Sequence, residues 1–156
     1  MINIPGLFGI IGKSNHCDTF TINDVSPKLI VRDKRVENLY VKQNTIDKFM
    51  DDKLFEENND YFVVIDGVLL NTIELKEKYK TSSLFETLVA MYKINGDRFI
   101  AELRGSFSGV FFDKKTDKKI VFTDHIGTKQ IFWAIVEQEL VFGSEINYLV
   151  QYYKCN

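Results

Sequence analysis

The chain has 156 residues, of which 45% are hydrophobic and 27% charged, and its formal net charge is −2. These proportions are typical of a soluble globular domain and exclude a disordered chain, which would have fewer apolar residues and a larger net charge. The near-neutral balance argues against a nucleic-acid partner, and no apolar run approaches the roughly 18 residues of a membrane span. The first residues also lack the basic start and apolar core of a signal peptide. We therefore expect a cytoplasmic protein.

Cysteine and histidine are too scarce for a zinc site or a conventional histidine-rich metal site. The two cysteines, Cys17 and Cys155, share no CxxC spacing, and the two histidines are His16 and His125. Neither a disulfide framework nor a zinc site follows from this pattern. No metal and no cofactor are expected.

The first third of the sequence predicts β-strands. Short apolar or β-branched runs at 7–12, 19–22 and 29–31 have strand length, and residues 36–42 alternate in polarity. Residues 61–65, Tyr-Phe-Val-Val-Ile, form the strongest strand pattern, and Asp66-Gly67 is expected to end it.

The middle of the sequence predicts helices. Asn71 and Glu74 suit the start of a helix over 72–79, and Ser83 and Glu86 repeat that capping-box arrangement before a second helix. Asn95-Gly96 is a plausible stop for the second helix, and a further short helix is expected over 97–103.

The last third returns to strands. Apolar runs predict strands at 106–112, 120–123, 130–136 and 140–142, with a charged hairpin loop over 113–118, and Ser144 can cap a closing helix through Tyr152. The order of strands, helices, strands and a final helix predicts an α+β architecture rather than alternating βαβ units.

Several motifs occur in the order and spacing of one known family. The motifs are Leu-Phe-Gly-Ile-Ile-Gly at 7–12, Val-Ile-Asp-Gly-Val-Leu-Leu-Asn at 64–71, Leu-Phe-Glu at 84–86, Leu-Arg-Gly-Ser-Phe-Ser-Gly at 103–109, Asp-His-Ile-Gly-Thr-Lys-Gln-Ile-Phe-Trp at 124–133 and Phe-Gly-Ser-Glu-Ile-Asn-Tyr-Leu at 142–149. In this order they resemble the M-C-G-I-x-G, F-N-G-E-I-Y-N, D-T-E, L-R-G-x-F-A-F, D-R-x-G-x-K-P-L-Y-Y and F-A-S-E-x-K-x-L segments of asparagine synthetase-like class II glutamine amidotransferases. The resemblance covers most of residues 6–150 and is loose over 13–58.

The resemblance implies the N-terminal-nucleophile (Ntn) hydrolase fold. That fold is a four-layer αββα sandwich in which two packed, mainly antiparallel sheets are flanked by helices. The chain has about the size of one such domain, so we expect residues 1–156 to be a single glutamine amidotransferase type 2-like domain. In the family an ATP-dependent synthetase domain follows, and no S-G-G-x-D pyrophosphate loop occurs in this sequence.

The nucleophile that the resemblance implies is not found at its expected position. Family glutaminases attack the glutamine amide with an N-terminal cysteine that precedes the Gly-Ile of the first strand, and its free α-amine acts as base. Phe8 occupies that position, and residues 1–7 lie ahead of it. Cleavage before Cys17 would create another N-terminal cysteine, but Cys17 follows the first strand, and an ordinary thiol is the expected interpretation.

The other two parts of the family's machinery are also altered. The oxyanion hole uses an asparagine side chain and the next glycine's N–H, and here the pair is Asp66-Gly67. An ionised Asp66 can only accept hydrogen bonds and would repel a developing oxyanion. The aspartate that clamps the substrate amine is replaced by Leu84, and neither Arg32 nor Arg35 lies in the family's R-G-P-D motif.

We expect the remaining motif residues to have structural roles. Residues 124–129 are expected to form a loop that shapes the fold, with His125 at the surface or in a turn. Phe132-Trp133 is expected to belong to the core, and the acidic stretch 51–60 to be a solvated loop rather than a metal site.

These observations favour a catalytically silent glutaminase-like domain with no catalytic residue. Its vestigial glutamine cleft would comprise Phe8, Asp66, Gly67, Asn71 and Leu84. Its expected partner is a synthetase domain or chain of the asparagine synthetase type, or a second copy, and its ligand a small molecule or peptide. Three alternatives stay open: changed chemistry in the same cleft with Asp66 as acid or base, residual glutamine hydrolysis that supplies ammonia, and a dimeric scaffold or regulator marked by exposed aromatic residues.

Overall fold

The computed structural model describes residues 5–12, 29–46 and 54–155. Their strands are β1 (Gly6–Ile11), β2 (Leu29–Val36), β3 (Leu39–Ile46), β4 (Leu54–Glu57), β5 (Tyr61–Leu69), β6 (Gly105–Asp113), β7 (Lys118–Thr123), β8 (Phe132–Val136) and β9 (Glu139–Gly143). Their helices are α1 (Thr72–Tyr79), α2 (Leu84–Asn95), a 3₁₀ helix (Gly96–Glu102) and α3 (Ile146–Cys155). No described helix is long and apolar enough to cross a membrane.

The chain divides into two compact units, residues 1–50 with 130–156 and residues 51–129. In the first unit, five antiparallel strands form a sheet in the order β2-β3-β1-β9-β8. The amphipathic helix α3 packs on β8 and β9. Its inner residues Tyr148, Leu149 and Tyr152 form an apolar cluster with Phe8 and Ile10 of β1, among others.

In the second unit, four antiparallel strands form a sheet in the order β4-β5-β6-β7. One face carries Val63, Ile65 and Phe111, which pack with Leu88 of α2 and Phe99 of the 3₁₀ helix. The ring centroids of Phe99 and Phe111 lie 5.2 Å apart. Such an aromatic contact stabilises the core beyond the apolar area that the two rings bury.

The strand β5 continues through Asp66-Gly67 to Leu69, so the prediction that this dipeptide ends the strand is wrong. Gly67 has a φ of +133° and pairs with Phe107, and a Cβ there would overlap the carbonyl oxygen of Ser106. The glycine therefore permits a close approach of β5 and β6 inside the sheet instead of a turn.

The predicted strand over 36–42 is confirmed over 39–42, which lie in β3, but a hairpin turn at 37–38 separates them from Val36 of β2. Val36 pairs with Leu39 across a two-residue turn in which Glu37 has a φ of 54°. The turn lacks the Asn-Gly or Asp-Gly signature of such hairpins, so the alternation of polarity concealed it.

The acidic stretch 51–60 also differs from its prediction in part. Residues 54–57 form the edge strand β4, in which Leu54 is buried in the core and pairs with Ile65. No group of residues able to hold a metal ion occurs among the described residues. The predicted strand over 19–22 lies outside them.

Candidate functional site

Asp66 lies on the face of the second unit's sheet opposite to the helices. Its side chain is only 3% exposed, and its Oδ2 lies 3.3 Å from Nζ of Lys129, whose side chain is 37% exposed. A buried carboxylate needs a partner of opposite charge, because its desolvation is otherwise costly. Lys129 supplies that charge from a partly exposed position.

The loop of residues 124–129 holds Lys129 in place. The carboxylate of Asp124 accepts hydrogen bonds from the backbone N–H groups of Ile126, Thr128 and Lys129, from the Thr128 hydroxyl, and from the N–H of Phe107 on β6. Asp124 therefore fixes both the shape of the loop and its attachment to the sheet. This agrees with the structural role predicted for the segment.

The same hydrogen bonds set the charge state of Asp124. Burial by itself raises the pKa of this carboxyl, but donors from Thr128, Ile126 and Lys129 outweigh burial and lower the pKa well below the usual range. Asp124 is thus a carboxylate throughout the physiological pH range.

Ser108 is the residue directly opposite Asp66 on β6. It is fully buried, and its hydroxyl has no hydrogen-bond partner within the described part of the chain. The Asp66–Lys129 pair and this hydroxyl thus lie side by side on one sheet face, and Thr123 of β7 is the next residue across from Ser108.

Asn71 begins α1 as predicted, but it makes no side-chain capping bond there. Its Nδ2 donates to the carbonyl oxygen of Glu102 at 2.9 Å, and its Oδ1 accepts from the N–H of Arg104 at 3.0 Å. The amide therefore connects the start of α1 to the segment before β6. Both ends of the side chain are engaged in this connection.

Leu84 is the first residue of α2 and is partly buried against the helix-side core. The capping box predicted before it is confirmed, with Ser83 accepting from the N–H of Glu86 and Glu86 reaching back to the N–H of Ser83. The position that the resemblance assigns to the amine-clamping aspartate therefore carries an apolar side chain in a well-formed helix start.

Phe8 lies in the first unit, whereas Asp66, Gly67, Asn71 and Leu84 lie in the second. The Phe8 side chain is buried, and its ring makes an edge contact at 5.9 Å with Tyr148 of α3. An apolar ring with these neighbours has no group that could attack an amide carbonyl. The assembly of the five residues into one cleft stays a prediction.

The other residues considered for the site are dispersed. Arg32 and Arg35 lie on β2, at the edge of the first unit's sheet, with the Arg35 guanidinium 6.0 Å from the Tyr40 ring centroid. His125 is exposed as predicted and lies 3.3 Å from the Arg104 guanidinium. Cys17 lies outside the described residues.

The prediction that Phe132-Trp133 belongs to the core is wrong. Trp133 is 67% exposed, and Phe132 is 36% exposed. Both lie on β8, which is an edge strand. An apolar run predicts a strand but does not say whether the strand lies at the centre of its sheet or at its margin.

A surface groove lies on the helical side of the second unit, with a volume of about 530 Å³. Its lining includes residues 80–82 and the α2 residues Phe85, Glu86 and Val89. It contains none of the residues predicted for the glutamine cleft, so it is a separate feature.

No individual role was predicted for Lys129 or Asp124, although both lie in the family-like segment 124–133. The available signal was the aspartate at position 124 followed by glycine and lysine, a spacing that suits a tight loop with a carboxylate at its base. The partner of Lys129 could not be found in this way, since Asp66 is 63 residues away.

Comparison with known proteins identifies the family to which this chain belongs. A family model described as "Glutamine amidotransferase domain" matches residues 26–156, so the chain belongs to that family. A solved structure of glutamine phosphoribosylpyrophosphate amidotransferase from Bacillus subtilis matches 93% of this chain and 43% of its own with a TM-score of 0.64 at 16% identity. The two antiparallel sheets with their helices thus have the Ntn-hydrolase amidotransferase fold, which confirms the predicted fold class.

The similar proteins of known function include asparagine synthetases. Asparagine synthetase [glutamine-hydrolyzing] 2 of Bacillus subtilis is 32% identical over 104 residues, which is 64% of this chain and 14% of that protein. Asparagine synthetase B of Escherichia coli is 25% identical over 104 residues, 62% of this chain and 19% of that protein. The chain therefore spans less than a fifth of the length of these relatives, and it is a glutamine amidotransferase domain related to asparagine synthetases.

Proposed function

We propose that this chain is a cytoplasmic, catalytically silent glutaminase-like domain. It acts as a structural or binding partner of an asparagine synthetase-like, ATP-dependent amide-forming enzyme in a biosynthetic pathway. The observation that carries the proposal is the Asp66–Lys129 pair, because Asp66 stands where the resemblance places the asparagine that donates to the oxyanion.

The chemistry of this pair supports loss of glutamine hydrolysis. An asparagine amide donates a hydrogen bond to the oxyanion, whereas a carboxylate only accepts. Loss of one oxyanion donor costs about 100- to 1,000-fold in rate. The Lys129 ammonium neutralises Asp66 at 3.3 Å, so the substitution is accommodated by the fold as a stable ion pair.

Two further positions support the same proposal. Phe8, at the expected nucleophile position, is packed into the apolar cluster under α3. Leu84, at the expected amine-clamp position, packs against the helix-side core. Apolar packing at both positions stabilises the fold without providing a nucleophile or an anionic partner for a substrate amine.

A test of the silent site uses a glutamine analogue that carries an electrophilic diazoketone in place of the amide. Such a reagent alkylates an N-terminal nucleophile that recognises glutamine, and intact-protein mass spectrometry detects the adduct. We expect no adduct on the wild-type chain. A stoichiometric adduct that competes with L-glutamine and disappears in Cys17→Ser would contradict the proposal and identify Cys17 as a nucleophile.

The partner is tested by co-expression with ATP-dependent synthetase chains encoded near its gene. We expect one of them to co-elute with this chain at a fixed stoichiometry in size-exclusion chromatography. If none of those synthetases co-elutes while the chain itself remains folded, the partner role is wrong.

A further inference from the structure

The strand β8 differs from the other edge strands in its side chains. Its sequence, Phe-Trp-Ala-Ile-Val, contains no charge, whereas the edge strands β2, β4 and β7 each carry at least two charged residues. Charged side chains at sheet edges prevent association with other strands. β8 lacks that protection, and its side chains Trp133 and Ile135 are 67% and 70% exposed.

The backbone of β8 has outward-facing groups at the same two residues. β8 and β9 are joined by the two-residue turn Glu137-Gln138, with φ values of 50° and 72°. In such a hairpin the residues that flank the turn exchange hydrogen bonds and the pattern then alternates, so Val136, Ala134 and Phe132 bond to β9. Trp133 and Ile135 therefore direct their N–H and C=O groups away from β9, and no described residue bonds to them.

This edge is complementary to itself. If two β8 strands pair antiparallel about Ala134, Trp133 of each copy lies opposite Ile135 of the other. Both are outward-bonding positions, so the two pairs exchange four backbone hydrogen bonds in a regular ladder. Each pair also places an aromatic ring beside a β-branched side chain, which is a favourable cross-strand combination.

We propose that two copies of this chain associate through β8 and join their five-stranded sheets into one continuous antiparallel sheet. The occupant of the edge is a second copy, because the symmetric register satisfies every outward backbone group of Trp133 and Ile135 with its own counterpart. α3 lies on the opposite face of this sheet, where it packs with Ala134 and Val136. This inference does not depend on the proposed loss of glutaminase activity.

Sedimentation velocity of the 156-residue chain over about 1–200 µM tests the association. In a monomer–dimer equilibrium with a micromolar Kd, the weight-average mass rises with protein concentration over this range. We expect a reversible dimer, and Ile135→Lys should weaken it by roughly tenfold or more because a lysine on an edge strand opposes pairing. Ile94→Lys is the matched control, since Ile94 is 71% exposed on α2 of the other unit. A wild-type chain that is monomeric throughout, or a dimer insensitive to Ile135→Lys, would overturn the proposal.

The register is tested by disulfide formation in a background with Cys17→Ser and Cys155→Ser. Hydrogen-bonded antiparallel pairs have Cα atoms about 5.5 Å apart, a separation that suits a disulfide. A mixture of Trp133→Cys and Ile135→Cys chains should cross-link between the two variants, several-fold faster than either variant alone. Cross-linking that is equally fast within a single variant would refute this register.

Discussion

At the scale of single residues, the candidate site is defined by how one buried carboxylate is neutralised. The sequence predicted that an ionised Asp66 would be unsuited to an oxyanion hole, and that argument needed only the residue type. It could not predict Lys129 as the partner, because the contact joins β5 to the end of a loop 63 residues later. The residue type alone indicated that Asp66 cannot donate to an oxyanion, but it did not indicate which residues surround Asp66 in the fold.

Lys129→Met should destabilise the fold by about 1–2 kcal/mol, because it leaves the buried Asp66 carboxylate without its counter-charge. This loss is smaller than the roughly 3–5 kcal/mol of a fully buried pair, because solvent screens the partly exposed Lys129. The double variant Asp66→Asn/Lys129→Met should be more stable than Lys129→Met alone. Urea unfolding measures both.

Lys118→Met is the control for that series, since Lys118 forms a surface ion pair with Asp97. Its cost should be smaller than that of Lys129→Met, because solvent screens an exposed pair. If Lys129→Met costs no more than this control, the Asp66–Lys129 pair is not a structural ion pair.

Asp124→Asn should cost about 3 kcal/mol at neutral pH, because the amide cannot accept all five of the hydrogen bonds that the carboxylate receives. The pKa of Asp124 is lower in the folded chain than in the unfolded chain, so its contribution is complete above the unfolded pKa of about 4. As the pH falls below that value, the difference in unfolding free energy between wild type and variant should shrink.

Urea unfolding of both proteins between pH 7 and pH 2.5 measures this difference. Asp97→Asn, which removes an ion pair between two exposed side chains, should show little change at either end. A wild-type advantage that is constant over the whole range would show that Asp124 contributes through shape and not through its charge.

At the scale of elements, local patterns predicted the structure where local contacts determine it. The capping box at Ser83 and Glu86 formed as predicted, because all of its groups lie within one turn of helix. The same pattern at Asn71 failed, because its amide binds Glu102 and Arg104, more than thirty residues away in the chain. The prediction that Trp133 is buried was wrong for a related reason, because the order of strands in a sheet depends on contacts between distant segments of the chain.

Gly67→Ala should destabilise the fold by roughly 3 kcal/mol or more, because the methyl group meets the backbone of β6 and the φ of +133° is strained for alanine. Gly127→Ala is the matched control. Its φ is also positive, at +67°, but nothing lies within 4 Å of the added methyl group. It should cost about 1 kcal/mol. Thermal unfolding compares the two, and equal losses would show that the close approach of β5 and β6 is unimportant.

At the scale of the whole molecule, the fold is that of glutamine amidotransferases, and the loss of catalytic residues is our proposal. The family match over residues 26–156 and the TM-score of 0.64 establish the glutamine amidotransferase fold. A fold does not by itself specify activity, which depends on the chemistry of the site. Whether this chain hydrolyses glutamine therefore decides between a silent domain and an active one.

Release of glutamate from L-glutamine tests that claim most directly. The assay uses freshly purified chain whose intact mass is recorded before and after, with Cys17→Ser as the matched variant. We expect no glutamate above the protein-free blank from either chain, at any glutamine concentration. Saturable release by the wild-type chain at ordinary enzyme rates, on the order of one turnover per second or more, would contradict it.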